Sequence, residues 1–315
     1  MAEERNFRVQ FYEKVGLREL EERRALEALL REEPVDGRRL SVWCRRCVVP
    51  WGWRPLVWRL LLAVTPRHPE AQQYVRHQQT LTYQELWRTV KSLRLHHPPP
   101  HVPAHLLHYS DHPRTNGVGD HYASDNPQPH HYVLMWLVSE ARLLHNTRQQ
   151  LQQQECRQFL AITRRMTSFY QDPVEVLHVS LALFDLIRRN RGIVMEALAE
   201  ATGHLRRENQ TLHQHLLTTG LFSADLLTDV CLGLFYEVLP DAAAGKVIDK
   251  VVTGAVAVLG CVMVALLLHL RQSLFTVNTV EGVSCVIAHI RPSEAETVVA
   301  AALDHWARLG HPRRP

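Results

Sequence analysis

In GLRELEERRALEALLRE, Leu17, Leu20, Leu26, Leu29 and Leu30 fall at helical spacing against a Glu/Arg background. That spacing puts the leucines on one face of an α-helix and the charges on the other. Pro34 and Gly37 are expected to end it. RPLVWRLLLAV predicts a short apolar helix from Arg54 to Val64, broken by Pro66 and Pro69. From Glu70 to Leu95 the pattern predicts a long two-faced helix. Tyr83, Leu86, Trp87, Val90 and Leu93 form its inward face, and Tyr74, Gln78, Leu81, Glu85 and Arg88 lie on the opposite side.

The periodicity then collapses. Residues 96–131 hold nine of the 20 histidines and seven of the 17 prolines. Repeated proline cannot support a helix, so a long loop is expected here. The pattern resumes at Tyr132, giving three stretches: 1–95, 96–131 and 132–315. Asn278 with Glu281, and Ser293 with Glu296, have the spacing of capping boxes. The second box opens a helix whose stripe is Val298, Ala302, Trp306 and Leu309, with Gly310 as its expected C-cap. No segment alternates as a strand does, so the fold class is all-α.

One run tests that picture. VVTGAVAVLGCVMVALLL, Val251 to Leu268, carries no charge over 18 residues. As one helix it would reach about 27 Å, close to a bilayer core of about 30 Å. Asp249 and Lys250 bound it on one side and His269 and Arg271 on the other, so a span would be at the short limit. A helix apolar all round also suits the centre of a large domain. The expectation is a buried spine.

Composition narrows function. The formal net charge is +4, too small an excess to require nucleic acid or an anionic membrane as an obligatory partner. The six cysteines are scattered, mostly in apolar surroundings, and MAEERNFRVQ has no apolar signal core. A cytosolic, reducing setting without disulfides is expected. Cys44 and Cys47 in CRRC have half-site spacing, but no second pair completes a zinc site and no strand–helix context supports a redox pair. The histidine-rich stretch lacks rigid elements to hold a metal, and GVGD within it is too short for a phosphate cradle. No metal or cofactor is expected. RQQLQQQECRQ reads as a solvated, glutamine-rich helix face.

Two blocks carry a resemblance. WRPLVWRLLLAV, with Arg54 and Trp58, resembles the opening motif of TBC domains, the Rab GTPase-activating fold. VLPDAAAGKVIDKVV, with Asp249, resembles a later block of the same family. RNFRVQFYEKVGLRELEERRALEALL, FLAITRRM and ALDHWARLG extend the likeness to the TBC branch that supplies the third subunit of the tuberous sclerosis complex. The resemblance implies a two-lobed, all-helical TBC domain. It also implies a hamartin-type coiled coil as partner, with tuberin reached through it. Tuberin would act on Rheb and so restrain target-of-rapamycin growth signalling. Any small GTPase, Rab or Rheb, would be engaged indirectly. The implied location is cytoplasmic, with recruitment through the complex to lysosomal or other vesicle surfaces.

The family's catalysis uses an Arg from IxxDxxR and a Gln from YxQ. None of the eight tyrosines begins a YxQ. At the Arg position stands Arg94, with Lys91 in place of the orienting Asp and Arg88 in place of the Ile. A lysine there repels the guanidinium an aspartate would hold. ALFDLIR repeats the spacing with Asp185 and Arg188, but too late in the chain; it reads as an i, i+3 ion pair. The expectation is a pseudo-GAP with no catalytic residue, in which Arg54, Trp58 and Asp249 are structural. The competing expectation is an atypical Rab GAP built on Arg94. A coiled-coil partner would be taken on Tyr74, Gln78, Leu81, Glu85 and Arg88.

Overall fold

The computed structural model describes residues 17–95, 127–223 and 225–309. Among these residues there is helix, turn and coil but no strand. The first four helices among the described residues are α1 (Leu17–Arg31), α2 (Gly37–Arg46), α3 (Arg54–Leu61) and α4 (Pro69–Ser92). Asp36 caps α2, its carboxylate accepting from the N–H groups of Arg38 and Arg39 at 2.9 and 3.1 Å. α1 buries Leu26 and Leu29 but leaves Leu20 exposed.

α5 (Pro129–Ser139) starts three residues before Tyr132. Proline suits a first helical turn, so the proline taken as a breaker instead opens the helix. His131 secures the start, its Nδ1 accepting from Gln128 N–H at 2.8 Å. The expected histidine-rich loop otherwise falls outside the described residues. α6 (Thr147–Leu151) and α7 (Gln154–Thr167) follow. Here the reading of a solvated glutamine face is corrected: Gln150 and Gln158 are buried. Gln150 accepts from Leu144 N–H at 2.9 Å and donates to Arg142 C=O at 2.6 Å, serving loop backbone that lacks helical partners.

The remaining helices are α8 (Pro173–Arg189), α9 (Arg191–Glu208), α10 (Gln210–Thr218), α11 (Leu226–Leu232), α12 (Asp241–Val251), α13 (Val258–His269), α14 (Arg271–Leu274), α15 (Val280–Ala288) and α16 (Pro292–Arg308). α9 and α16 flank α13, which is buried nearly all round. The spine is therefore present, but Val251–Leu268 is not one helix. α12 ends at Val251, Gly254 adopts φ +84°, and α13 restarts at Val258. A left-handed residue breaks the ladder, and only glycine takes it without strain. No helix among the described residues is long and apolar enough to cross a membrane.

Two caps differ from expectation. Thr279 rather than Asn278 caps α15, accepting from Gly282 N–H at 3.1 Å. At α16, Pro292 takes the first turn and Glu294 accepts from Arg291 N–H at 3.3 Å. Val298, Ala302 and Trp306 are buried as expected, Leu309 is exposed, and Gly310 lies outside the described residues.

Candidate functional site

Arg54, Trp58 and Asp249 come together in the interior. Asp249, on α12, is fully buried. Its carboxylate accepts from Trp58 Nε1–H at 2.9 Å, Val49 N–H at 3.2 Å and Arg54 Nε at 3.3 Å. Burial pushes the acid up to about 6, against the opposing pull of Arg54, Trp58, Lys250 and the Val49 N–H. Gly245 stands one turn before Asp249. A Cβ there would come within 2.5 Å of Arg54 Nη1, so the guanidinium lies against bare backbone. The neighbouring Lys250 is also buried, and its ammonium donates to the carbonyls of Cys44 and Cys47 at 2.7 and 2.6 Å. Those carbonyls belong to the last turn of α2 and its C-cap, where no intrahelical donors are left. CRRC thus supplies backbone acceptors. Burial raises the Cys44 thiol to about 12.

α4 has the two faces expected. Tyr83, Trp87 and Val90 are buried, although Leu86 is only partly so and Leu93 is exposed. Tyr74, Gln78, Leu81, Glu85 and Arg88 are all exposed, with Tyr74 at 68%. Arg94 lies just beyond the helix, exposed and at φ +55°, its N–H bonded to Lys91 C=O at 2.9 Å. Lys91 places its ammonium over the Trp87 ring, 5.4 Å from the centroid. Asp185 and Arg188 form the expected ion pair at 3.1 Å.

No family model matches the chain. Sequence comparison finds relatives along nearly all of it. It is 26% identical over 307 residues to TBC1 domain family member 7 of Danio rerio, covering 96% of this chain and 95% of that protein. It is also 26% identical over 308 residues to TBC1 domain family member 7 of Homo sapiens, covering 96% and 94%. Among solved structures it resembles the Ypt/Rab-GAP domain of Gyp1p, with a TM-score of 0.55 at 11% identity, covering 92% of this chain and 99% of that one. The chain has the all-helical fold of that Rab-GAP domain and is similar along nearly its whole length to TBC1 domain family member 7.

Two buried cations in this fold escaped sequence reasoning. Lys250 is one. The other is Arg165 on α7, within FLAITRRM. It donates to the carbonyls of Phe235, Tyr236 and Leu239 at 3.1, 2.9 and 2.7 Å and pairs with Asp241. It holds the irregular turn in which Leu234 and Phe235 take φ +55° and +54°, a strained conformation for side-chain-bearing residues. The only hint was a basic residue at an apolar position of a helical stripe. Among the described residues, no group of three or more His, Cys, Asp or Glu could hold a metal ion.

Proposed function

We propose that this chain is a TBC-domain protein and a non-catalytic adaptor. It takes a hamartin-type coiled coil on the outer face of α4 and, through it, joins a complex in which tuberin activates GTP hydrolysis by Rheb. Growth signalling through target of rapamycin is thereby restrained, and the chain reaches lysosomal or other vesicle surfaces with its partners. The observation that carries the reading is the division of α4. One face is committed to the core, while Tyr74 and Leu81, seven residues apart, stand exposed among Gln78, Glu85 and Arg88. An apolar pair at heptad spacing with polar flanks suits a partner helix laid lengthwise.

Two sequence facts support the non-catalytic part. YxQ is absent, and Arg94 follows Lys91 instead of Asp. An arginine finger contributes roughly 10³–10⁵ in rate, so a poorly held one forfeits most of the activity. Co-expression with a hamartin C-terminal helix, followed by sizing, tests the adaptor reading. A stable complex that Tyr74→Glu with Leu81→Glu abolishes is expected; failure to co-purify sinks it. A Rab panel assayed with wild type and Arg94→Ala tests the competing activity. A large acceleration lost on that substitution would overturn the non-catalytic assignment.

A further inference from the structure

Residues 37–54, GRRLSVWCRRCVVPWGWR, hold five arginines, three of the seven tryptophans and no acidic residue. The structure divides these arginines by task. Arg54 is spent on Asp249, Arg45 donates to Thr253 C=O at 2.8 Å, and Arg39 pairs with Glu32 at 2.6 Å. The nearby acid Asp36 is occupied by backbone N–H groups. Arg38 and Arg46 are exposed and form no ion pair among the described residues. Between them on the same stripe, four residues from each, stands Val42 at 49% exposure. The opposite face of α2 is buried through Leu40 and Cys44, so this outer face is fixed in orientation.

The chain then continues with two more exposed apolar side chains, Val48 at 45% and Trp51 at 52%. Trp51 is held in place. Its ring lies 4.9 Å from that of Phe169, and the Arg54 guanidinium sits 5.6 Å from its centroid. Half of a positioned indole is therefore left in water.

We propose that the outer face of α2 and the Val48–Trp51 turn dock this chain directly on an anionic membrane surface. Arg38 and Arg46 would face lipid phosphates and carboxylates, while Val42, Val48 and Trp51 enter the headgroup layer. Basic side chains are attracted by the negative potential of such a surface. Tryptophan favours the interface because its ring is apolar and its N–H is wet. An acidic protein would match the arginines but would give less reason for a rigidly presented, half-exposed indole beside exposed valines.

The test uses the full chain without partners, so its outcome is separable from that of the α4 reading. Co-sedimentation is measured with vesicles of pure phosphatidylcholine and with vesicles carrying about three-tenths phosphatidylserine. Binding to the anionic vesicles alone, weakening with salt, is expected. Arg38→Glu with Arg46→Glu, both exposed, should lower the partition coefficient at least about tenfold while leaving Tm unchanged. Brominated lipid should quench a component of tryptophan fluorescence that Trp51→Phe lacks. Equal binding to both vesicles, or full binding by the double variant, overturns the proposal. So does the absence of Trp51-dependent quenching, or equally effective competition by polyglutamate, which would point to an acidic protein.

Discussion

Asp249 gives up its water on folding and receives donors from Trp58, Arg54 and the Val49 backbone. Removing it leaves a buried guanidinium without its counter-charge. Asp249→Ala should therefore cost about 3–5 kcal/mol, read from the midpoint shift in urea. The acid's pH behaviour has a definite sign. Its folded pKa, about 6, lies above the ordinary 3.8, so between those values the native state holds the proton more tightly than the unfolded chain does. This group's contribution is complete below about pH 4 and is lost as pH rises towards 6. His130 acts oppositely. Burial lowers it to about 4, so its contribution is present above the ordinary 6.5 and is lost as pH falls towards 4. Asp249→Asn should remove the first slope, leaving a profile that rises more steeply with pH between 4 and 6. An unchanged profile would contradict the assignment. Arg54, Trp58 and Asp249 were legible because each sits in a recognisable block. Lys250 and Arg165 were not, because their acceptors are backbone carbonyls of distant segments, which side-chain patterns do not record.

At the scale of elements, pattern reading succeeded where one face alternated with another and failed where apolar residues ran on unbroken. The two-faced spacing of α4 located its buried and exposed sides. Between Val251 and Leu268 no charged position marks a boundary, so the break at Gly254 was not read. Gly254→Val would place a β-branched residue at φ +84° and should cost about 1–3 kcal/mol by urea unfolding. Gly245→Val acts by a different route, driving Cβ into Arg54 and separating it from Asp249. Together with Asp249→Ala it should therefore be less than additive. Full additivity would mean that the glycine and the acid act independently. On α4, Tyr74→Glu and Leu81→Glu change exposed positions and should each leave stability within about 0.5 kcal/mol, so any loss of partner binding reports the surface itself.

Across the whole molecule, the N-terminal helices are tied to the C-terminal half by polar contacts spanning some 190 to 210 positions. Asp249 reaches Val49, Arg54 and Trp58, Lys250 reaches α2, and Thr253 accepts from Arg45. Tyr170 adds a further tie, donating to Pro55 C=O at 3.0 Å. None of these acceptors can be left unpaired in the interior without a penalty of about 1–3 kcal/mol. Residues 1–95 are thus expected to lack a stable fold in isolation, although a two-lobed plan suggests separability. The apolar core makes the same demand, since the Trp58 ring on α3 packs tilted against that of Phe169 beyond α7, 4.7 Å between centroids. Far-UV circular dichroism and tryptophan fluorescence should therefore report one coincident urea transition for the full chain. The 1–95 fragment should show no cooperative transition. Two resolved transitions, or a fragment with native-like fluorescence, would mean that the N-terminal helices fold without Asp249 and Lys250. If the node is what couples them, Asp249→Ala should separate the two probes that coincide in wild type.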